Sequence, residues 1–256
     1  MKSIADENLE TSLLAAGVAL SHGKMVLPEW CTRVKIDVGL SHDAPQARRW
    51  IECDPNVYVI AFEPIEKNRF ELKKNFIENP EYKFSEHLKR QLIVLPFALS
   101  DVDGVVTTQM FVTMNDPGCS SLLEPAEFEV ADYQQVEVTS LNSILSYFPF
   151  ELIPFIDHLK TDAQGSDFDI VKGTGDFLQN IVVITSESEN SQYKLSNNSN
   201  GALSNHLRQN GFELFNRKKA KFRNLPIRSW TSDPTYINLT TFKLIDRNDL
   251  FLFQQG

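Results

Sequence analysis

The stretch that decides the fold is Val34-Lys-Ile-Asp-Val-Gly-Leu-Ser-His-Asp43, taken together with Val57-Tyr-Val-Ile-Ala-Phe-Glu-Pro64 further along the chain. In the first segment an apolar run ends in Asp-x-Gly, and in the second an apolar run ends in an acid. The residues between the two runs have a helical pattern. This order predicts two neighbouring parallel strands joined by a helix, with a site for a ribose-bearing cofactor at their carboxyl ends.

Apolar runs alternate with helical patterns through the first two thirds of the chain, which is typical of βαβ units. The predicted strands are short and apolar on both faces, as buried parallel strands are, and lie at 34–38, 57–62, 92–97, 156–161 and 181–185. The predicted helices lie at 44–52, 67–78, 167–174 and 202–210. Apolar runs at 212–215, 236–244 and 250–253 have no helices between them. We therefore expect an α/β protein with a mostly parallel sheet and an antiparallel C-terminal edge.

Composition and charge limit the class of protein. The 256 residues carry a net charge of −9, with 42% hydrophobic and 23% charged residues, which is typical of a globular protein that does not bind nucleic acid nonspecifically. No stretch approaches the roughly 18 apolar residues that would suggest a membrane span. The three cysteines have no spacing typical of a disulfide framework or zinc site, which favours a reduced, cytoplasmic setting. We expect one domain over 1–256, with a helical extension over 1–30 and a core over 31–256.

The first strand is followed by one glycine rather than by the G-x-G-x-x-G of dinucleotide-binding folds. S-adenosylmethionine (SAM) has no phosphate, and its sulfonium and amino groups favour carboxylates and carbonyls. Asp37 is placed either to orient the loop or to meet the methionine end, and Gly39 lets the backbone pass close to the cofactor. Glu63 follows Gly39 by 24 residues, close to the roughly 20-residue spacing of a ribose-binding acid. Its alternative role is to cap the helix that begins near Pro64.

A third segment, Leu159-Lys-Thr-Asp-Ala-Gln-Gly165, makes the pattern more specific. With Lys35-Ile-Asp-Val-Gly39, Ala61-Phe-Glu-Pro64 and Pro96-Phe-Ala-Leu-Ser100, it resembles the FkbM-type methyltransferases, a family of SAM-dependent O-methyltransferases, from about Arg33 to Asn238. The resemblance implies a Rossmann-like fold with a C-terminal hairpin, and methyl transfer to a hydroxyl of a sugar or glycan. The chain departs from the family at Gly39-Leu-Ser-His-Asp43, where many members have Gly-Ala-Asn-x-Gly.

The resemblance also implies roles for individual residues. Asp37, Gly39 and Ser41 would lie along the methionine and ribose side of SAM, and Glu63 would hold the ribose hydroxyls. Ala98 and Leu99 would flank adenine, and Asp162 would face the amino or methyl end. Gln164, Asp233 and Asn238 are candidates for the acceptor pocket, although Asp233 and Asn238 are equally explained as turn residues.

Methylation of a hydroxyl needs a group that removes its proton. The candidates near predicted strand ends are His42, Asp162, Asp167 and Glu187. His42 is alternatively a loop histidine bonded to backbone, and Asp162 is a base, a cofactor ligand or a helix cap. A divalent ion held by carboxylates is a further possibility that the spacing does not establish.

Four other points stay open at this stage. An NAD(P)-dependent oxidoreductase can use a similar sheet, and a methyltransferase-like module without turnover would explain the altered loop at 40–43. The turn-rich segment 116–122 is either a lid over the acceptor or an ordinary loop. The basic segment 217–223 is either a solvated hairpin loop or a contact for phosphate or an acidic saccharide.

Overall fold

The structure is a computed structural model that describes residues 4–114, 117–187, 192–197, 199–215 and 233–242. The predicted strand 250–253 and the basic segment 217–223 lie outside these residues. The strands are β1 (Leu20–Ser21), β2 (Lys24–Met25), β3 (Arg33–Val38), β4 (Val57–Phe62), β5 (Leu92–Leu95), β6 (Phe97–Leu99), β7 (Val106–Thr113), β8 (Val130–Thr139), β9 (Ile156–Thr161), β10 (Ile181–Ser186), β11 (Phe212–Leu214) and β12 (Thr235–Asn238).

The helices alternate with the strands of the main sheet. They are α1 (Ile4–Ala15), α2 (Pro45–Cys53), α3 (Glu66–Leu72), α4 (Ser85–Gln91), α5 (Leu141–Leu145), α6 (Asp167–Lys172) and α7 (Asn200–Gln209). A π-helical turn, Lys73–Ile77, continues α3, 3₁₀ turns lie at Pro117–Cys119 and Gly175–Asn180, and a one-turn helix, Leu239–Phe242, follows β12. No helix in the described part of the chain is both long enough and apolar enough to cross a membrane.

The main sheet has seven strands in the order β11-β12-β10-β9-β3-β4-β5. Five neighbouring strands of this sheet are parallel to one another, namely β10, β9, β3, β4 and β5. β12 is antiparallel to both β10 and β11. Numbered along the chain, the five parallel strands have the order 3-2-1-4-5, which is that of a doubly wound, Rossmann-like sheet. The predicted α/β fold is therefore confirmed. The order reverses between β3 and β9, where such sheets form a crevice at the carboxyl ends.

Helices cover both faces of the sheet. Successive side chains of a strand point to opposite faces, so each buried strand packs against both helical layers. In β4, Val57, Val59 and Ala61 pack in one cluster with side chains of α2 and α4. Ile60 and Phe62 of the same strand pack in the larger cluster, which includes side chains of α1, α6 and α7. Apolar residues on every position of the strand are thus explained by two helical layers.

The predicted strand 92–97 is divided at Pro96. β5 ends at Leu95, and β6 turns away and pairs in parallel with β8 in a second sheet of order β6-β8-β7. Proline has no N–H to donate to a sheet ladder, so the main sheet ends at this residue. The division places Ala98 and Leu99 on a separate layer that stands beside the carboxyl ends of the main sheet.

The predicted strand 236–244 is also shorter than expected. β12 ends at Asn238, whose Oδ1 accepts hydrogen bonds from the backbone N–H groups of Thr240 and Thr241 at 3.1 and 3.2 Å. These are bonds of the type that an N-cap makes, and they begin the one-turn helix Leu239–Phe242. The antiparallel edge itself is present, with β12 between β10 and β11.

Candidate active site

A cavity of about 380 Å³ lies at the carboxyl ends of β3, β4 and β9. This volume falls within the range of about 300–1,000 Å³ typical of small-molecule sites. Its apolar lining comes largely from the second sheet and the loops beside it and includes Ile65, Ala98, Leu99, Met110 and Leu122. Its polar lining comes mainly from the strand ends and includes Ser41, His42, Asp43, Glu63, Asp162 and Gln164. The site therefore has one apolar component and one polar component, supplied by different layers.

Glu63 ends β4 and is only 3% exposed, yet it borders the cavity. Its Oε1 accepts a hydrogen bond from the Ile65 N–H at 2.9 Å, and its Oε2 accepts one from the Ser41 N–H at 2.8 Å. Burial raises the pKa of the Glu63 carboxyl, although these bonds oppose the shift. The first bond is made to the residue before α3, and the second fixes the loop after β3. The Asn68 side chain is a third hydrogen-bond partner of the carboxylate, and an ionised carboxylate with about four acceptor sites can still accept from a hydroxyl donor.

Ser41 has a backbone φ of +63°, which is unusual for a residue with a side chain. The bond from its N–H to Glu63 holds the residue in this conformation. Its hydroxyl oxygen lies 3.2 Å from Nδ1 of His42, and both residues line the cavity. A strained loop held by a buried carboxylate is the kind of feature that clusters at functional sites.

Gly39 brings the ends of β3 and β9 into direct backbone contact. Its φ is +74°, and a Cβ at this position would lie 1.9 Å from the carbonyl oxygen of Asp162. The Asp162 N–H donates to the Val38 carbonyl at 3.1 Å, which closes the same contact from the other side. The close approach that the structure shows is to Asp162, and Gly39 also lines the cavity. The approach of Gly39 to a cofactor stays a prediction.

Lys160 is a buried cation that was not among the predicted site residues. Its Nζ lies 3.3 Å from Oδ1 of Asp37 and 3.5 Å from Oδ2 of Asp162, and it donates to the carbonyl oxygens of Val38 and Gly39 at 3.4 and 3.1 Å. Burial opposes the charge of Lys160, but Asp37 and Asp162 outweigh that effect and raise its pKa. The signal in the sequence is a lysine inside a buried strand, a position that charged residues occupy only when paired.

Asp37 lies beneath the cavity and does not line it. It is 1% exposed, and burial raises its pKa although the ion pair with Lys160 opposes the shift. Lys160 pairs with Asp37 and donates to the carbonyls of Val38 and Gly39. This geometry is consistent with the first of the two roles predicted for Asp37, which is to orient the loop.

Replacing Lys160 by methionine is expected to lower the free energy of unfolding by about 3–5 kcal/mol, because it leaves Asp37 buried without its cation. Urea unfolding at pH 7 measures this loss. Lys172→Met is the matched control, since Lys172 pairs with Asp101 at an exposed site and its loss should have little effect. Equal stabilities of the two variants would contradict a structural role for the buried pair.

Gln164 joins two carboxyl groups at the end of the neighbouring strands β9 and β10. Its Nε2 donates to Oδ1 of Asp162 at 2.8 Å and to Oε2 of Glu187 at 3.3 Å, and its Oε1 lies 2.6 Å from the Tyr193 hydroxyl. Burial, with the charges of Asp162, Asp167 and Asp233, raises the pKa of Glu187 to about 8. Asp162 and Gln164 line the cavity, whereas Glu187 lies behind them.

Asp167, the first residue of α6, is fully buried. Its Oδ1 accepts a hydrogen bond from the Ala163 N–H at 2.9 Å, which fixes the turn between β9 and α6. Burial raises the pKa of Asp167 to about 6. Asp167 contributes charge to the carboxyl cluster but does not line the cavity.

The turn-rich segment 116–122, interpreted above as either a lid or an ordinary loop, supplies one wall of the cavity. Cys119 and Ser120 line the cavity, and the Ser121 hydroxyl donates to the Gln164 carbonyl at 2.7 Å. The Tyr193 hydroxyl lies 2.9 Å from the Cys119 carbonyl as well as beside Gln164. Residue 116 of this segment lies outside the described part of the chain. The contacts connect the wall directly to the residue that joins the carboxyl groups.

The structure does not bring every predicted residue to the cavity. Asn238 is fully buried at the end of β12, and because β12 is antiparallel to β10, Asn238 lies at the opposite edge of the sheet from Glu187. Its amide donates to Gln179 at 3.2 Å, and its Oδ1 accepts the hydrogen bonds that begin the one-turn helix. Asn238 therefore does not line the cavity, contrary to the prediction of an acceptor-pocket role. Asp233 lies close enough to Glu187 to raise its pKa and stays a candidate. In the described residues, no group of three or more His, Cys, Asp or Glu could hold a metal ion.

Comparison with known proteins adds a family assignment. A family model of the methyltransferase FkbM domain matches residues 37–214. The crystal structure of a methyltransferase FkbM from Methylobacillus flagellatus KT superimposes with a TM-score of 0.45 and 12% sequence identity, over 93% of this chain and 56% of that chain. This chain thus spans about half the length of that protein. No curated protein matches the chain.

Proposed function

Because the chain belongs to the FkbM methyltransferase family, we propose that it transfers a methyl group from SAM to a hydroxyl group, on a sugar or glycan. The observation that carries this proposal is the cavity at the strand ends. The charged residues that line it are the acids Asp43, Glu63 and Asp162, and no Lys or Arg is found among its described lining residues. Such a lining suits a cationic cofactor and disfavours a diphosphate.

The residues present fit SAM in three respects. The buried Glu63 carboxylate ends the second strand, where an acid can accept hydrogen bonds from ribose hydroxyls. The apolar side chains of Ile65, Ala98, Met110 and Leu122 provide a surface for a purine ring. The turn at Gly39 and the Asp162 carboxylate offer a carbonyl and an anion to the methionine end. SAM itself supplies an activated methyl group when bound.

The protein has to orient the acceptor hydroxyl and exclude water. Effects of orientation alone reach roughly 7–11 kcal/mol in favourable systems. The wall formed by Cys119 and Ser120 covers the cavity, and its contacts with Gln164 and Tyr193 hold it in place. Gln164, Asp162 and Asp233 are the residues that we assign to the acceptor side, and His42 lies with Ser41 on the side assigned to ribose.

We expect S-adenosylhomocysteine, the product of the cofactor, to raise the melting temperature of the protein. At a concentration 100 times its Kd the ligand adds about 2.7 kcal/mol, equivalent to roughly 5–10 °C for a chain of this size. NAD and NADP should produce no shift. A shift with NAD alone would support the oxidoreductase interpretation instead.

The acceptor is identified by a labelled-methyl transfer screen over free sugars, glycans and small alcohols. Transfer to a sugar hydroxyl is the expected result. If S-adenosylhomocysteine binds but no hydroxyl compound is methylated, the protein is better described as a methyltransferase-like binding module.

A further inference from the structure

We propose that Asp162 takes the proton of the acceptor hydroxyl and shares it with Glu187, the two acids acting as one carboxyl pair that Gln164 and Lys160 hold in place. Asp162 is then the catalytic residue, and Gln164, Lys160 and Glu187 act through it. The inference rests on the proposed function and assigns the base within the same site.

Asp162 is the candidate base with the best access to the cavity. It lines the cavity, its side chain is 40% exposed, and both of its oxygens are oriented by partners, Oδ1 by Gln164 and Oδ2 by Lys160. Asp167 is fully buried and bonded to the Ala163 N–H. His42 lies beside Ser41, on the ribose side of the cavity. Among the candidate bases, Asp162 therefore best meets the geometric requirement.

Glu187 is linked to Asp162 through Gln164 and does not itself line the cavity. The same Gln164 amide donates to both carboxyl groups, at 2.8 Å to Asp162 and 3.3 Å to Glu187. Among the residues that the structure describes, the charged and titratable groups that face Glu187 are Asp162, Asp167, Asp233 and Tyr193. Like charges so close together cannot all ionise readily, so one proton is retained near neutral pH. Burial and the neighbouring acids raise the pKa of Glu187 to about 8 in this way.

Lys160 distinguishes the surroundings of the two acids. It lies 3.5 Å from Asp162 and supplies positive charge to that carboxylate, whereas Glu187 faces acids and a phenol. The raised pKa of Glu187 places the resting proton on Glu187, while Asp162 faces the cavity beside Lys160. Loss of the Glu187 proton leaves the pair free to take the proton of the acceptor.

The methyl transfer breaks two bonds and forms two. The acceptor O–H bond breaks, and its proton forms an O–H bond with the Asp162 carboxylate, which shares it with ionised Glu187. The electron pair on the acceptor oxygen forms the new bond to the methyl carbon. SAM, when bound, would supply the methyl group, and its carbon–sulfur bond would break with the electrons retained by sulfur, which would leave an ether and a neutral thioether. The proton leaves the pair to water after product release.

The first test is the pH profile of methyl transfer in the full-length protein. Turnover of the wild type should rise as pH increases through about 8, because the pair loses its last proton there. Asp162→Asn should lose about 100-fold in turnover, and Glu187→Gln about tenfold with the rise near pH 8 abolished. Glu187→Asp should retain the rise.

The control Glu86→Gln makes the same chemical change in an exposed acid of α4 and should behave as wild type. A Glu187→Gln variant with wild-type turnover and an unchanged rise would overturn the proposal.

The second test needs no turnover. Infrared titration of the protein alone should show a protonated carboxyl band that disappears near pH 8 in the wild type and in Glu86→Gln, but is absent in Glu187→Gln. If Glu187→Gln retains this band, the pair is wrongly assigned. Calorimetry with S-adenosylhomocysteine tests the proposed function separately from the carboxyl pair. Failure of the wild type to bind it removes the proposed function, whereas normal binding with unaltered infrared and pH behaviour in Glu187→Gln removes only the carboxyl pair.

Discussion

Replacing Gly39 by alanine is expected to destabilise the protein by at least about 4 kcal/mol, a loss reached by few single substitutions. The added Cβ would lie 1.9 Å from the Asp162 carbonyl oxygen and 2.8 Å from its carbonyl carbon. Both atoms belong to backbone at the end of β9, so neither can rotate away. The ends of β3 and β9 must separate, and the contacts of Lys160 with the Gly39 turn would be lost with them. Chemical unfolding measures the loss.

Gly23→Ala is the matched control for this prediction. Gly23 has the same φ of +74°, but a Cβ added to it would have nothing within 4 Å. Its substitution should cost only the left-handed backbone conformation, about 1–2 kcal/mol. Similar losses for the two variants would show that the conformation of Gly39, and not its contact with Asp162, limits the substitution. A Gly39→Ala protein that does not accumulate in folded form agrees with the larger loss.

Replacing Glu63 by alanine is expected to weaken binding of S-adenosylhomocysteine by roughly 100-fold, or about 3 kcal/mol. The change removes the acid assigned to the ribose hydroxyls and also frees the Ser41 and Ile65 N–H groups. The loop after β3 and the start of α3 therefore lose their common anchor. Isothermal titration calorimetry gives the affinity, and thermal unfolding of the same samples gives the accompanying loss of stability.

Further variants separate the ribose role from the anchoring role. Glu63→Gln retains one oxygen acceptor and should bind more tightly than Glu63→Ala, but more weakly than the wild type. Glu66→Ala removes an exposed acid from the first turn of α3 and should leave the affinity nearly unchanged. His42→Ala should weaken binding less than Glu63→Ala does. An opposite order of these last two variants would remove the ribose assignment of Glu63.

Much of the main sheet could be predicted because its strands are buried on both faces. The pattern located β4 at 57–62 and β9 at 156–161 with the bounds that the structure shows. It failed at Pro96, where the apolar run continues but the missing N–H ends the pairing. It also failed at 239–242, where Asn238 begins a helical turn in a segment that looks like a strand. Apolar periodicity reports burial, whereas these ends depend on individual hydrogen bonds.

The site was predictable only where it depends on strand ends. Glu63, Asp162 and Gly39 follow apolar runs, and the parallel sheet brings them to one cavity. Lys160 was missed because its partners, Asp37 and the Gly39 carbonyl, are distant in sequence and meet it only in the folded sheet. Asn238 was misplaced for a related reason, since the antiparallel direction of β12 reverses which end of the strand faces the cavity.

Because part of the cavity lining comes from the second sheet and its loop, the cavity can change independently of the main sheet. The second sheet contributes Ala98 and Met110 to the cavity, and the loop from β7 to β8 contributes Leu122, whereas Glu63 and Asp162 directly follow strands of the main sheet. Insertions or exchanges in that loop can therefore reshape what enters the cavity without disturbing the doubly wound core. For directed evolution of a new acceptor range, this loop is the segment to randomise first.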